Sequence, residues 1–502
     1  LEDRLLEVLE RFGRQRLLLV GDFMLDRYLY GDAERISPES PVPVLRVVDR
    51  EVRLGGAGSV AANLAAFGAA RIAAFGVLGS DEAGRQVLSM MAKVGVDAAG
   101  MVQVDGRCTT CKTRVVGLAQ HRHRQQMLRI DEECDGAVPD DVASSLQGRV
   151  LAAVQPGAFD AILVGDYNKG TITAGFLERL IAQARGAGVG VLVDPAALQD
   201  YSRYAGAWML TPNRAELLEA CGKQVEDREQ IGQAAKSLLT KLDLNWLVVT
   251  LDKEGALLVG PESIEYVPSR PRDVYDNTGA GEAVLAMLGM AVSAGATPLE
   301  AVHLAGVAGG LEVEKFGAAP VGLDEVTCDL LNELRQRGHK IVDESRLEVL
   351  LGRHRRVGKT VVFTNGCFDL LHLGHVDLLR FCKQNGDIVV VGLNSDTSVQ
   401  MNKGPSRPVL NQQERSRLLE SIEYVDYVVI FETVDPHPLI EKIRPDILVK
   451  GQDYAGKWVC GREFVESYGG KVLLAPLRDG YSTTGLIRRV EGNGGRPDKV
   501  TG

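Results

Sequence analysis

The sequence predicts an α/β protein built from two successive, largely parallel-sheet domains, and three observations predict it. Short apolar runs alternate with helical stretches from about residue 16 to about residue 315, a pattern that means a mostly parallel sheet covered on both faces. The alternation resumes at Val361-Val362-Phe363, after a segment of higher charge density without strand signal. At 502 residues the chain is too long for one ordinary domain.

Composition narrows the function classes. A net charge of −10 argues against nucleic acid or an anionic membrane as main partner, and no run of 18 apolar residues marks a membrane span. The opening LEDRLLEVLERFGRQR is charged throughout and does not read as a signal peptide. Eight scattered cysteines suit a reduced, cytoplasmic protein. Cys108-x-x-Cys111 followed by His121 and His123 invites a zinc reading, but the spacing is not that of a finger, and CTTCKTRVVGL alternates like a strand. An ordinary strand pair is favoured there.

In chain order, RLLLVG at 16–21 is a strand ending at Asp22, and acids at strand carboxyl ends are where open α/β sheets place ligand contacts. Asp22 and Asp26 are therefore candidates for binding hydroxyls. The stretch 41–48, PVPVLRVV, alternates and carries two prolines, which suits an edge or outlying strand. It is a lid or a surface for a second subunit. The small residues around Gly55, Gly56 and Asn63 open an Ala-rich helix but fit neither a dinucleotide fingerprint nor a P-loop.

Strands are expected at 71–77, 160–164, 189–193, 207–211 and 245–250, and helices at 82–94, 139–153, 171–186, 228–241, 280–293 and 297–314. Polar groups stand at strand ends: DYNKG from Asp166, Asp194-Pro195, and Thr211-Pro212-Asn213-Arg214-Ala215-Glu216. Asn213 and Glu216 lie three apart and can jointly hold a hydrated Mg²⁺, or simply form a helix-capping box; both can hold together. In Asp276-Asn277-Thr278-Gly279-Ala280-Gly281-Glu282, successive amides at a helix start face an anion, and an acid follows that can take a hydroxyl proton. Phosphoryl transfer to an alcohol requires both.

GGAGSVAANLAAFGA, DYNKG, TPNRAE and DNTGAGE, in this order, resemble the ribokinase-like (PfkB) carbohydrate kinases over roughly residues 10–318, and GDFMLDRYLYGDAERISPESPVPVL resembles their heptose 7-phosphate kinases. The resemblance implies a mostly parallel sheet with a β lid through which such kinases often dimerise. It implies Glu282 as catalytic base and Gly279, Ala280 and Gly281 as anion hole. Asn213, Arg214, Ala215 and Glu216 would lie beside ATP and its Mg²⁺, and Asp22, Gly55, Gly56 and Asn63 would face the sugar. The family pattern ends in GAGD where this chain has GAGE. Misplacing a base by about 1 Å can cost on the order of 100-fold, so an impaired kinase serving as scaffold or sensor is the alternative expectation.

Residues 319–356 read as a helical linker, with Arg353, His354, Arg355 and Arg356 as a solvated basic helix end. The second domain spans 357–491 and the polar tail 492–502 is expected to be disordered. Its opening stretch, TNGCFDLLHLGHV, runs from strand through a tight loop to a helix start. His372 and His375 are three apart there and share a face. Imidazoles at a helix start suit phosphate binding and charge stabilisation. GQDYAGK at 451–457 is not a P-loop, because Trp458 replaces the Ser or Thr.

TNGCFDLLHLGH, GLNSD, KGPSRPVLNQQER, LVKGQDY and YSTTGLI resemble, in order, the HxGH nucleotidyltransferases, a Rossmann-like superfamily, and among them the heptose 1-phosphate adenylyltransferases. The resemblance places His372 and His375 at the α-phosphate. Lys403 and Arg407 would hold phosphates, and Ser482, Thr483 and Thr484 the nucleotide's phosphates. Thr364, Gly366, Phe368, Asn394, Asp396 and Lys450 would line the pocket. Together the resemblances imply ATP and heptose phosphates as substrates, Mg²⁺ as cofactor, and ADP-heptose as product. A sugar kinase fused to a cytidylyltransferase is the remaining alternative.

Overall fold

The computed structural model describes residues 1–476 except 120–122, 135–136, 223–226, 271, 273–275, 277 and 337–339. The chain folds into two compact units, one holding Asp3–Thr327 and the other beginning at Cys328.

The first unit is built on an eight-stranded sheet. From one edge its strands are Ile264–Pro268, Gly255–Val259, Trp246–Thr250, Met209–Leu210, Gly190–Asp194, Ala161–Gly165, Arg16–Gly21 and Arg71–Phe75. The last six are parallel, and the first two add an antiparallel hairpin. Strands such as LLLV at 17–20 and ILVG at 162–165 are buried throughout, as a sheet covered on both faces requires. The covering helices start where their caps dictate. Asp81 accepts from the Gly84 amide, and Thr297 forms a capping box with Glu300, with Pro298 at the first helical position.

A second, four-stranded sheet runs in the order Pro43–Gly56, Phe23–Ile36, Cys111–Ala119, His123–Glu132. It contains both the outlying strand expected at 41–48 and the strand expected in CTTCKTRVVGL. Its 14-residue strand Phe23–Ile36 was hidden because the acid Asp26 interrupts the apolar pattern. Asp26 is buried against Arg114, Nη1 to Oδ1 2.6 Å, which offsets the cost of burying either charge. Among the described residues no group of three or more His, Cys, Asp and Glu side chains is placed to hold a metal ion; His121 lies outside them.

The second unit has a five-stranded, all-parallel sheet in the order Tyr427–Phe431, Ile388–Asn394, Val361–Gly366, Ile447–Gly451, Lys471–Ala475. Chain order reverses between Val361–Gly366 and Ile447–Gly451. In open α/β sheets that switch point leaves a crevice at the strand carboxyl ends where ligands bind. The segment expected as linker holds helices Leu323–Gln336 and Glu344–Arg356. The basic end of the latter is not wholly solvated: Arg353 and His354 are buried. His354 Nε2 lies 2.8 Å from the Tyr427 hydroxyl, and burial drives its pKa down to about 3, so the ring is neutral and behaves as core.

Candidate active sites

Parallel strands put their carboxyl ends on one edge, so in the first unit Asp22, Asp166, Asp194 and Asn213 gather there. The helix Ala280–Ser293 begins at the same edge. Gly279 precedes it with φ +97°, a conformation that favours glycine, and no side chain caps the first turn. Its amides are therefore left for a ligand. Glu282 in that turn accepts a hydrogen bond from the Tyr167 hydroxyl at 3.1 Å. A Cβ added at Gly281 would lie 4.0 Å from Asp194 Oδ2, so the helix start and the strand-end acid are close.

Burial raises these acids, and like charge adds to it. Burial pushes the Glu282 carboxyl up, with Asp26 adding to it and Lys112 of the lid sheet opposing. Asp194 is pushed well up by burial, then by Glu282 and Glu216, although the Thr211 hydroxyl donates to it at 3.0 Å. Burial also raises Glu216. Such a cluster is short of positive charge, and two of its hard oxygens at a time suit the water shell of a divalent cation rather than direct ligation by all three.

Asn213 and Glu216 form the capping box: Asn213 Oδ1 accepts from the Glu216 amide at 2.9 Å, and Glu216 Oε2 from the Asn213 amide at 2.8 Å. Oε1 of Glu216 takes no part in the cap. Arg214 pairs with Glu254, and Ala215 is exposed.

The residues expected to face a sugar divide. Asp22 is buried, and its carboxylate accepts the amides of Tyr167 (3.0 Å), Lys169 (3.0 Å) and Thr171 (3.3 Å), so it shapes the 167–171 loop. A Cβ at Gly55 would sit 2.7 Å from Asp26 Oδ2, and one at Gly56 2.7 Å from the Asp22 carbonyl oxygen; only glycine fits either. Asn63 departs from expectation. It is fully buried, donating to the Ser59 carbonyl (3.1 Å) and accepting from the Val321 amide (3.0 Å). The family resemblance places it at the sugar, but here it pins a loop to a helix.

In the second unit the strand Val361–Gly366 ends at the switch point and the helix Leu373–Asn385 follows, with His372 as its N-cap position. The rings of His372 and His375 stack with centroids 3.8 Å apart. Phe368 is held at φ +44°, a strained conformation for a bulky residue, and its buried ring lies 5.0 Å from that of His375. Burial, then His372 and Lys403, drive the His375 pKa down to about 3. Its Nδ1 has no hydrogen-bond partner among the described residues, nor does the Thr364 hydroxyl at the strand end.

Lys450 closes the other side of the crevice. It is buried, donates to Asn365 Oδ1, lies 5.5 Å from the Tyr454 ring centroid, and is brought down by burial to about 8. Gly366 approaches Phe368, and a Cβ there would be 3.2 Å from that ring. Lys403 is exposed at the end of the helix Asp396–Lys403, and Arg407 is paired with the buried Asp369. Ser482, Thr483 and Thr484 lie outside the described residues.

Arg415 is the residue sequence reasoning undervalued. Its side chain is fully buried and donates to the Leu410 (3.0 Å), Cys367 (2.6 Å) and Asn394 (2.8 Å) carbonyls and to Asp396 (2.7 Å). It thereby ties together the loops after two strands. Asn394 also bonds Ser398 at 2.8 Å. Asn394 and Asp396 thus frame the crevice through Arg415. In the first unit the overlooked cations are Lys112 and Arg114, whose alternation along CKTRVV puts both on one face of the lid sheet.

Fold and sites together define a carbohydrate kinase joined to a nucleotidyltransferase. The pfkB family of carbohydrate kinases matches residues 14–325, and the cytidylyltransferase-like family residues 363–489. Among solved structures, phosphofructokinase-2 from Escherichia coli in complex with potassium covers 64% of this chain and 99% of its own, at 21% identity and TM-score 0.53. That is a likeness of fold. The Bifunctional protein HldE of Geobacter sulfurreducens is 42% identical over 95% of this chain and 96% of its own length. The protein of that name from Magnetococcus marinus is 41% identical over 95% and 98%. The chain belongs to the pfkB carbohydrate kinase family and, over nearly its whole length, to the bifunctional HldE family.

Proposed function

We propose that this chain carries out two steps of ADP-heptose synthesis: phosphorylation of D-glycero-β-D-manno-heptose 7-phosphate at C1 by ATP, and adenylyl transfer from ATP to heptose 1-phosphate. The observation that carries the reading is the pair of uncapped helix starts, one beside a carboxylate and the other beside two imidazoles and a lysine.

In the kinase step Glu282 takes the C1 hydroxyl proton as that oxygen bonds to the γ-phosphorus of ATP and ADP leaves. The amides at Gly279, Ala280 and Gly281 stabilise the transferring group. Tyr167 holds Glu282 in place, which supports a working base despite its extra methylene. Asn213 and Glu216, through water, and Asp194 are the residues that would hold Mg²⁺, which when bound neutralises phosphate charge. Gly55, Gly56 and the loop held by Asp22 make the floor for the sugar.

In the second step the sugar phosphate is already a nucleophile, so no base is required. Its oxygen bonds to the α-phosphorus of ATP and pyrophosphate leaves. Lys450 neutralises charge and the His372 and His375 imidazoles donate hydrogen bonds to it, with Lys403 and Arg407 at the phosphates. Ser482, Thr483 and Thr484 are proposed for the nucleotide by motif alone.

The lid sheet exposes Ile36, Val42, Val48, Leu128 and Ile130, an apolar set that supports homodimerisation through the lid. Among the described residues no helix is long and apolar enough to cross a membrane, in keeping with work in the cytoplasm on soluble substrates. The test is product analysis of the purified chain with Mg²⁺, ATP and each heptose phosphate in turn. ADP from the 7-phosphate and pyrophosphate from the 1-phosphate are expected. Preference for CTP over ATP in pyrophosphate release would refute the adenylyl assignment. Kinase turnover near background, restored by Glu282→Asp, would favour a scaffold role for the first unit.

A further inference from the structure

One buried acid has no part in either reaction. Glu312, in the helix Pro298–Val313, is 0% exposed, and neither carboxyl oxygen has a hydrogen-bond partner among the described residues. It lies directly against the start of the kinase helix: a Cβ added at Gly279 would be 2.5 Å from Glu312 Oε1.

The charged groups around it are committed elsewhere. Lys315 Nζ is held by the Pro320 carbonyl (2.9 Å) and Glu325 (2.8 Å). The Arg53 guanidinium is held by Glu51 and the Phe316 carbonyl (2.8 Å). Arg272 pairs with Glu314 at 3.0 Å, and Asp276 accepts the Gly317 amide at 3.2 Å. A buried acid with no cation paired to it stays protonated. Burial raises it to about 8, with Lys315, Arg53 and, more weakly, the Ala319 backbone drawing it down and Glu282 adding to the rise.

We propose that Glu312 is a positioning residue that must be uncharged for the helix start at Gly279 to accept a phosphoryl group, so that its ionisation shuts down the kinase and leaves adenylyl transfer untouched. The inference rests on the reading of Gly279–Glu282 as the phosphoryl site. Protonated, the carboxyl is a neutral filler behind the amides. Ionised, it sets a negative charge against the donors that must hold a phosphate, in a site with little water to screen it. Glutamine keeps the shape and has no proton to lose.

The test compares the full-length wild type with Glu312→Gln, measuring ADP formation and pyrophosphate release from about pH 6 to about pH 10. Wild-type ADP formation should fall roughly ten-fold per pH unit above about 8. Glu312→Gln should keep its neutral-pH rate and lose that fall, while pyrophosphate release follows the same profile in both proteins. An unchanged alkaline fall in Glu312→Gln would overturn the proposal.

Thermal stability against pH supplies a readout that does not need kinase turnover. Folded Glu312 keeps a proton that the unfolded chain releases above its ordinary value of 4.5, so the folded state binds more protons across that window. Wild type should therefore lose Tm relative to Glu312→Gln as pH rises from about 4.5 to about 8. A Tm difference that does not change with pH would overturn the proposal even in a chain without kinase turnover. Absence of ADP at every pH alongside a changing Tm difference would refute the kinase reading, and the shut-down of turnover with it.

Discussion

At Gly279 the first turn of a helix is surrounded by acids: Asp194, Glu216, Glu282 and Glu312. At His372 the corresponding turn is surrounded by bases: His375, Lys403 and Lys450. Both turns leave backbone amides for phosphate, yet their side chains carry opposite chemistry. A sugar hydroxyl must lose a proton before it attacks, so the first site needs a carboxylate and tolerates the repulsion among its neighbours. A sugar phosphate arrives deprotonated, so the second site needs only donors and positive charge. Each cluster is at odds with itself. Glu282 and Glu216 raise Asp194 at one site, His372 and Lys403 lower His375 at the other, and the missing charge is a cation's at the first and a phosphate's at the second.

Breaking this contrast begins with its reacting groups. Glu282→Gln should lower ADP formation by about 10²- to 10⁴-fold and leave pyrophosphate release unchanged, as two coupled assays on one preparation would read. His375→Ala should lower pyrophosphate release by about 10²- to 10³-fold and spare ADP formation; equal loss of both products would deny two separate sites.

Smaller effects sharpen it. Glu282→Asp withdraws the carboxylate from Tyr167 and should cost about 10- to 100-fold in kcat for ADP formation; a gain instead would mean that Tyr167 does not compensate for the longer side chain. Gly279→Ala meets both a positive φ and Glu312 Oε1, and should destabilise the first unit by about 1–3 kcal/mol in denaturant titration.

The mildest probe is pH. Raised Glu282 must lose its proton to act, so ADP formation on the acid side should climb at higher pH than an ordinary carboxylate allows. Lowered Lys450 is charged below about 8 and neutral above it, so the KM for ATP in adenylyl transfer should rise several-fold beyond that value. The acid limb of one reaction and the alkaline limb of the other are therefore displaced toward neutrality.

Much of this was legible in the sequence where structure is local. The helices at 228–241 and 280–293 begin and end where expected, because caps and periodicity act within a few residues. The central strand of the second unit's sheet begins with the apolar run before TNGCFDLLHLGH. What stayed hidden depends on partners distant in the chain. Arg415 sits on a helix that reads as polar, yet is buried by carbonyls 21 and 48 residues away. Asn63, which the family resemblance places at the sugar, has its partner in Val321, 258 residues on. Asp26 masked a strand because Arg114, 88 residues later, neutralises it. The hairpin Gly255–Pro268 was missed because its outer strand is half exposed and carries little apolar signal.

The most direct measurement of the two-site account assays ADP and pyrophosphate formation, with each heptose phosphate, in Glu282→Gln and His375→Ala side by side. The account predicts that each variant loses one product and keeps the other at the wild-type rate. Loss of both products in either variant, or of neither, would contradict it.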